Sequence, residues 1–405
     1  MNVTRFLSRY VELVTPRMHK VRRSSFLAAI ESAMSRGPLS VTWLGRNINN
    51  GAREKHRIKR VDRLCSNGKF QHEIKSVYYH LCRLTVGRLK RPVIHIDWSD
   101  MDDRKDHFLI RASLAAEGRS LTLFEEIHPL STKEKPHVHY AFMVTLKGLL
   151  PDKTVPIIVT DAGFRIPWFK LVTSLNWDYV GRVRNRTHCQ KLVDDFVDDP
   201  TDGDWFPIKA LYQFARYKAK DLGSYFLGEK GQLMTRMIIL RRRPKGRVDK
   251  TVTGDRKRRS KLSRASANRE AEPWLLATSL APQSISAKRV ARIYATRMQI
   301  EESFRDLKTG LNMNSCGTRS LKRLDVLLII AAMTQYLLYW LGLAVKEAGA
   351  HLQYQSNSIK TRNILSCQFI GLRAYKDRNL KLQKKHWVDA LKTLKLMTEN
   401  PNAKY

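Results

Sequence analysis

An α/β fold is predicted for the central part of this 405-residue chain, because strand-like and helix-like patterns alternate there. Three runs rich in Val, Ile, Leu and Phe follow one another between residues 92 and 129. A helical stretch covers residues 137–150, and the strand VPIIVT, a helix over 163–175 and the strand WDYVGRV come next. Such an order buries a sheet beneath helices. The sequence therefore predicts a mixed sheet flanked by helices.

The regions around this core differ from it in composition and in predicted secondary structure. Residues 1–85 are helical and basic, whereas residues 184–273 combine acidic loops, the strand TRMIILRRR and a very basic loop over residues 243–270. The strand EPWLLATSL and a long helix starting near Ser286 then return to the α/β pattern. The predicted segments are 1–85 (all-α), 86–183 (core, first part), 184–273 (β-rich insertion), 274–350 (core, second part) and 351–405 (helical).

Charge is the feature that sets the composition apart. Lys and Arg total 74 against 37 acidic residues, which gives a formal net charge of +37. A compact protein with this charge repels itself unless a polyanion is bound. Nucleic acid is the favoured partner, because neutralising phosphates releases counterions and turns positive charge into affinity. An anionic membrane surface is the alternative; it is disfavoured because the charges run along the whole chain instead of flanking one anchor.

One apolar segment, Val326–Val345, carries no charge over a length that could span a membrane. It also contains Thr334 and Gln335, and we predict a helix buried on all sides in a large core. The alternative is a membrane-associated basic protein built around this segment. No apolar stretch typical of a secretory signal is visible near the amino terminus, and no membrane partner is predicted.

The five cysteines are scattered and include no C-x-x-C pair. This pattern favours a reducing, cytoplasmic location over a disulfide framework or a structural zinc site. His137 and His139 are spaced as metal ligands could be, but no paired Cys or His is close in sequence. Surface or supporting roles are favoured for both histidines.

Two predicted helices near the amino terminus resemble a helix-turn-helix. LSVTWLGRNINN is followed by AREKHRIKRVDRLCS, with an Asn/Gly-rich turn between them. The second helix carries Arg53, Arg57 and Arg60 among other basic residues, and these are the candidate DNA contacts. The alternative is a basic, solvated helix that contacts nothing specific.

Two aspartates follow apolar strand-like runs. Asp97 closes the run Val93–Ile96, and Asp161 closes Val155–Thr160. Side chains at strand ends of an open α/β sheet converge on a ligand. Two carboxylates that share a crevice repel each other, and Mg²⁺ or Mn²⁺ relieves the repulsion because hard cations bind carboxylate oxygens. The alternative is that each aspartate caps the helix that follows it.

A predicted helix over residues 290–308 carries a polar stripe beside its apolar face. The polar stripe is no wider than about 60° and suits a phosphate backbone that runs along the helix. Glu301 within it has an alternative role as an ordinary surface partner of Arg297 or Arg305. The apolar stripe is Val290, Ile293, Ile300, Phe304 and Leu307, and the polar stripe is Tyr294, Arg297, Glu301 and Lys308.

The segment YATRMQIEESFRDLK, residues 294–308, fits the Y-x2-R-x3-E-x6-K signature at all four positions. It resembles bacterial insertion-sequence transposases with an RNase H-like core and a DDE triad. IDWSD around Asp97 and IVTDAGF around Asp161 resemble the two aspartate motifs of that family. LGRNI, KRVDRL and RLDVLLII resemble it as well, and the similarity is greatest to cut-and-paste members that excise through a DNA hairpin.

The resemblance implies an RNase H-like fold and roles for individual residues. Asp97, Asp161 and Glu301 would hold two Mg²⁺ or Mn²⁺ ions, and Asp97 is preferred to Asp100, Asp102 and Asp103 because of the motif and its strand-end position. Tyr294, Arg297 and Lys308 would bind phosphates of the transposon end. Trp274 would stack on a flipped base, with a core tryptophan as the alternative. Met298 stands where some relatives have a second tryptophan.

The expected function is that of a DNA transposase that excises an insertion sequence and inserts it into target DNA. The expected steps are 3′ nicking, hairpin formation, hairpin opening and strand transfer. The partners are double-stranded DNA, namely the terminal inverted repeats and the target, and a second copy of the chain in a synaptic homodimer. The alternative is a non-catalytic DNA-binding regulator derived from a transposase.

Overall fold

A computed structural model describes residues 3–102, 104–184, 187–192, 204–243, 260, 261, 263, 272–359 and 364–400. The chain forms two compact units. The first unit contains residues 1–154 and 298–405, and the second contains residues 155–297. These units group the chain differently from the five segments expected from the sequence, whose boundaries stay predictions. Most of the basic loop over 243–270 lies outside the described residues.

The first unit begins with five helices, and their capping residues are visible in the sequence. Ser40 accepts a hydrogen bond from the Trp43 N–H, and Asn67 accepts one from the Phe70 N–H. The predicted helix pair is present as the third and fourth helices, joined by residues 47–53. The helices are α1 (Val3–Val14), α2 (Lys20–Met34), α3 (Val41–Arg46), α4 (Glu54–Cys65) and α5 (Gly68–Val86).

A glycine lets the two helices of this pair approach each other. A Cβ atom added at Gly45 of α3 would lie 2.4 Å from the Ile58 Cα atom of α4. Val61 and Leu64 of α4 are buried, as the sequence predicts, while Arg53 and Lys55 are exposed.

Three antiparallel strands follow, β1 (Val93–Asp100), β2 (His107–Ala115) and β3 (Ser120–Pro129), and then α6 (Pro136–Leu149). The predicted strand-end position of Asp97 is wrong. β1 continues to Asp100, because residues 97–100 keep their pairing with β2 although they are only half-buried. Asp97 is therefore an internal strand residue directly opposite Arg111.

The second unit is built on β4 (Ile157–Thr160), α7 (Ile166–Ser174) and β5 (Asp178–Arg182), with the two strands parallel. β10 (Trp274–Thr278) pairs with β5 on one side and with β9 (Leu233–Leu240) on the other. The other strands of the predicted insertion extend the same sheet beyond β9 in the order β8, β6, β7. Their bounds are β6 (His188–Lys191), β7 (Phe206–Pro207) and β8 (Lys220–Leu227).

The continuous helix predicted over residues 290–308 is wrong. α8 (Ala287–Ala295) ends, α9 (Met298–Arg305) begins after two residues, and a π-helical turn covers Asp306–Gly310. At the break, the backbone N–H and the hydroxyl of Thr296 both donate to the Ile293 carbonyl, at 3.1 and 2.6 Å. The Arg297 N–H donates to the Tyr294 carbonyl at 3.1 Å, so the backbone bonds here reach three residues back and not four. The four polar residues of the signature therefore do not share one helical stripe.

The first unit ends with α10 (Leu321–Glu347), α11 (Cys367–Lys376) and α12 (Lys384–Glu399). α10 is the one helix of the described residues that is long and apolar enough to cross a membrane, and its apolar window is entirely buried inside the protein. Phe6 and Tyr10 of α1 pack against its aromatic residues, and α11 and α12 cover it further. The prediction of a buried core helix is confirmed.

Candidate active site

Asp97 and Arg111 are directly opposite each other in the β1–β2 ladder, so their side chains project from the same face. Asp97 is half-buried, and its Oδ1 accepts a hydrogen bond of 2.8 Å from the Trp98 N–H. The next residue, Trp98, projects to the opposite face, where its Nε1 donates to His139 Nε2 of α6 at 3.0 Å. Burial lowers the pKa of His139 to about 4, which keeps the imidazole neutral and able to accept this bond.

Arg111 is fully buried and is the centre of a polar network on the Asp97 face. Its Nε donates to Glu125 Oε2 of β3 at 2.7 Å, and its Nη1 donates to Ser303 Oγ of α9 at 2.9 Å. The guanidinium also lies 4.9 Å from the centroid of the Phe304 ring. Burial raises the pKa of Glu125 although Arg111 opposes the shift, and the Tyr78 hydroxyl donates to the same carboxylate.

This network holds α9 against the sheet. Gln299, near the start of α9, exchanges two hydrogen bonds with the backbone of Ala116, at 3.0 and 2.7 Å. Gln335 of α10 donates to the Ser303 carbonyl at 3.1 Å. Glu301 lies between these anchors and is half-buried. Since α9 packs on β1 and β3, Asp97 and Glu301 lie on the same side of the sheet.

The other acidic residues near Asp97 have structural partners. Asp100 forms an ion pair with Lys308, and this contact holds the pKa of Asp100 below its usual range. Asp102 closes the β1–β2 turn by accepting hydrogen bonds from the backbone N–H groups of Asp106 and His107, both at 3.1 Å. Asp103 lies outside the described residues.

In the second unit, Asp161 directly follows β4, as predicted. Its Oδ1 accepts a 2.8 Å hydrogen bond from the Gly163 N–H. A Cβ atom at Gly163 would be 3.0 Å from that oxygen, so the glycine lets the loop fold closely around the carboxylate.

Tyr294 and Trp274 of the second unit pack together. Tyr294 is buried, and its ring meets Trp274 edge-on at 4.8 Å and 80°. Burial raises the pKa of Tyr294, Arg297 and Arg182 oppose the shift, and Asp161 adds to it. The charges of Arg297 and Asp161 therefore both act on the Tyr294 hydroxyl.

Trp274 is only half-buried, and the guanidinium of Arg242 lies 4.4 Å from its ring centroid. Arg182 and Arg184, whose charges act on the buried Tyr294, were not predicted as site residues from the sequence. Burial, with Arg184 nearby, lowers the pKa of Arg182 to about 10. Two arginines spaced by one residue at the end of an apolar strand were the signal that could have identified them.

The amino-terminal candidates have different environments. Arg53 is exposed, whereas Arg57 donates to the Ile48 carbonyl at 2.6 Å. Arg60 donates to the hydroxyls of Ser25 and Ser24 at 3.0 and 2.8 Å.

The described structure thus groups the predicted site residues in two sets. The first unit holds Asp97, Glu301 and Lys308, and the second holds Asp161, Tyr294, Arg297 and Trp274. Within the described residues, no three His, Cys, Asp or Glu side chains form a group that could hold a metal ion.

The order of strands and helices, with an aspartate in β1, an aspartate after β4 and a glutamate on α9, is that expected of the DDE class of transposases. The chain belongs to the family of the transposase DDE domain, whose sequence profile matches residues 88–337, from just before β1 into α10. Comparison with curated proteins found no match. Membership of this family makes DNA the substrate and makes divalent metal ions the usual requirement.

Proposed function

We propose that this protein is a metal-dependent DNA transposase in which Asp97, Asp161 and Glu301 together bind two Mg²⁺ or Mn²⁺ ions. The observation that carries the proposal is the placement of α9. The buried contacts of Arg111 and Gln299 hold this helix on the face of the sheet from which Asp97 projects. Asp161, whose carboxylate is held by the Gly163 N–H directly after β4, is the third member of the proposed set.

The choice of Asp97 follows from what its neighbours do. Asp100 is neutralised by Lys308, and Asp102 is committed to the β1–β2 turn. One carboxylate oxygen of Asp97 accepts a hydrogen bond from the adjacent Trp98 N–H within the strand, and this bond fixes the direction of the carboxylate.

The donor set fits hard divalent cations, because three carboxylates supply only oxygen ligands and leave room for water and phosphate oxygens. When bound, two such ions supply activation of a water or 3′-hydroxyl and stabilisation of the leaving oxygen. The protein's own contribution is to position the carboxylates, and Arg111 is the positioning residue for Glu301 through Ser303.

Each proposed DNA step exchanges one phosphodiester bond for another or hydrolyses it. In nicking, a water oxygen bonds to the scissile phosphorus and the 3′-oxygen leaves as a hydroxyl. That hydroxyl then attacks a phosphorus of the opposite strand, which forms a hairpin and releases the flanking DNA with a 3′-hydroxyl. Water attacks the hairpin phosphodiester and regenerates the 3′-hydroxyl of the element end, which finally attacks a target phosphorus and displaces a 3′-hydroxyl of the target strand. Because a DNA hydroxyl or water attacks phosphorus directly in each step, no protein nucleophile is required.

The signature cations are proposed to hold the transposon end. Arg297 supplies a guanidinium whose charge already acts on the buried Tyr294, and Lys308 exchanges Asp100 for a phosphate when DNA binds. Trp274 is proposed to stack on a flipped base, supported by the edge of Tyr294, and Arg242 would leave its ring face at that point. Pairing of two element ends implies a homodimer in the synaptic complex.

Purified protein, Mg²⁺ or Mn²⁺, and a duplex that carries the element's own terminal inverted repeat provide the test. Asp97→Asn, Asp161→Asn and Glu301→Gln should each reduce strand cleavage by at least about a hundredfold while DNA binding is retained. Glu302→Gln is the matched control, because Glu302 is the next residue on α9 and pairs with Arg119 and Arg305. The control should cleave like the original protein.

Metal-dependent cleavage that survives in any of the three variants would refute the triad. Site-specific binding without strand breaks under all metal conditions would instead support a DNA-binding regulator.

A further inference from the structure

We propose that a cleft in the first unit, formed jointly by the α3–α4 turn and the carboxy-terminal segment after α11, binds the sugar–phosphate backbone of duplex DNA. This inference rests on the proposed function, since it adds a binding surface for the same DNA. The residues proposed to contact phosphates are Arg60, Lys376, Arg378 and Lys381, and we call this set the basic cleft.

The size and lining of the basic cleft fit a polymer better than a small molecule. Its volume is about 1140 Å³, above the range of about 300–1000 Å³ that is common for small-molecule pockets. Small-molecule sites are also mostly apolar, whereas this cleft is bordered by the amide side chains of Asn47, Asn49 and Asn50. Such amides are common ligands of DNA phosphates and sugars.

The carboxy-terminal wall is held firmly in place. A Cβ atom at Gly371 of α11 would lie 1.9 Å from the Leu338 carbonyl oxygen, and one at Gly342 of α10 would lie 1.8 Å from that of Cys367. These two glycines therefore allow α11 to pack directly on the backbone of the buried helix α10. The Tyr375 hydroxyl donates to the Glu31 carbonyl at 3.3 Å, which joins the carboxy-terminal segment to α2, a helix that also lines the cleft. The cleft is thus preformed, which lowers the entropic cost of binding.

The positive charges of the basic cleft are not neutralised within the described structure. Lys376, Arg378 and Lys381 are exposed, and none of them forms an ion pair with a carboxylate among the described residues. Arg60 donates to two serine hydroxyls, which are neutral. Cations gathered along a concave surface attract a polyanion more strongly than the same cations on a flat one.

The two acidic residues of the cleft do not cancel this charge fully. Asp377 accepts hydrogen bonds from the Tyr354 hydroxyl at 2.8 Å and from the Asn379 N–H at 2.9 Å, so its carboxylate is turned into its own loop. Burial raises the pKa of Glu31, which favours its neutral form.

The position of the cleft indicates which DNA it binds. One wall is the turn that joins α3 to α4, the pair that resembles a helix-turn-helix. DNA that contacts this pair would extend along the cleft, where backbone contacts fix its orientation without reading sequence. The occupant is therefore duplex DNA at and beside the element end.

The test compares the full-length protein with a cleft variant, Lys376→Gln/Arg378→Gln/Lys381→Gln. The matched control is Lys384→Gln/Lys385→Gln/Lys395→Gln, which makes the same charge change on exposed positions of α12 outside the cleft. Fluorescence anisotropy measures Kd for a labelled duplex of the element end and for an unrelated duplex of equal length, at several salt concentrations. Circular dichroism melting checks that both variants keep the stability of the original protein.

The cleft variant should bind both duplexes at least about tenfold more weakly at roughly 0.1 M salt, and its slope of log K against log salt should fall by about 2–3. The control variant should change much less. Equal affinities and slopes for the two variants would overturn the proposal. Tighter binding by the cleft variant would also overturn it, since the segment would then obstruct DNA.

Failure of the basic-cleft proposal can be distinguished from failure of the proposed transposase function. At low salt and saturating DNA, the cleft variant should still cut at the element end, because Asp97, Asp161 and Glu301 are unchanged. Failure of the original protein to cut would refute the transposase proposal and leave the binding comparison intact.

Discussion

Removal of Arg111 should separate the contribution of the buried network to stability from its contribution to the site. In Arg111→Met, the Glu125 carboxylate stays buried, and among the described residues only the Tyr78 hydroxyl remains as its hydrogen-bond partner. Breaking one side of a buried ion pair costs about 3–5 kcal/mol. Arg111→Met/Glu125→Gln removes both charges and keeps an acceptor for Tyr78, so it should lose under about 2 kcal/mol. Denaturant unfolding at neutral pH measures both values.

The pH dependence of the stability of Arg111→Met provides a second test, because it reports the direction in which the pKa of Glu125 is shifted. Burial raises the pKa of Glu125 even with Arg111 present, and loss of the cation should raise it further. A carboxyl with a raised pKa stabilises the fold below its unfolded pKa and loses this contribution as pH rises through the folded pKa. The free energy of unfolding of Arg111→Met should therefore be closest to that of the original protein near pH 5. Near pH 8 it should fall furthest below that of the original protein, by roughly the same few kcal/mol as the broken ion pair costs.

The double variant also tests positioning. It remains folded, but the bond from Arg111 to Ser303 is gone, so Glu301 loses its support and DNA cleavage should fall about 10–100-fold with binding intact. A loss under about 1 kcal/mol in Arg111→Met, or a double variant as unstable as the single one, would refute the assignment of a buried charge pair.

Three further outcomes are expected. Gly45→Ala should destabilise the protein by about 1–3 kcal/mol in denaturant unfolding and weaken DNA binding, because the new Cβ meets Ile58 and separates α3 from α4; an unchanged midpoint would contradict this. Because the folded protein favours neutral His139, its contribution to the free energy of unfolding should be complete above about pH 6.5 and be lost as pH falls towards about 4. His139→Gln should therefore flatten the dependence of stability on pH in that range. Asp100→Asn should release Lys308 and tighten non-specific DNA binding a few-fold at low salt, whereas unchanged affinity would show that the ion pair does not compete with phosphate.

Local patterns in the sequence were enough to predict most of the regular elements. The run HFLIRASLA corresponds to β2, and VPIIVT ends where β4 ends, immediately before Asp161. The apolar segment within α10 was predicted to be a buried core helix although its length could span a membrane, because it contains polar residues such as Thr334 and Gln335, and the structure confirms the burial.

Other features depend on contacts that no local pattern contains. β1 extends past Asp97 because β2 continues to pair with it, although its residues have become polar. The signature helix breaks where the N–H groups of Thr296 and Arg297 bond to carbonyls three residues back, a change that helical periodicity does not reveal. Arg111 and Ser303 are 192 positions apart, so only packing brings them together.

The sequence could propose residues for the candidate site but could not give their environment. The signature motif predicts roles for Glu301 and Lys308, which stay predictions, whereas the ion pair of Lys308 with Asp100 depends on how α9 and the π-helical turn pack beside β1. Trp274 fitted both a stacking role and a core role, and the structure shows a half-buried ring between Tyr294 and Arg242.

Iron-directed cleavage of the polypeptide tests the shared metal site most directly. Fe²⁺ substitutes for Mg²⁺ at oxygen-rich sites, and with ascorbate and peroxide it generates radicals that cut the backbone close to the ion. The protein bound to its DNA should be cut near residues 97, 161 and 301 together, and excess Mg²⁺ or the single change Asp161→Asn should suppress all three cuts. Cuts near residues 97 and 301 that persist in Asp161→Asn, or cuts confined to other parts of the chain, would contradict a site built from three carboxylates.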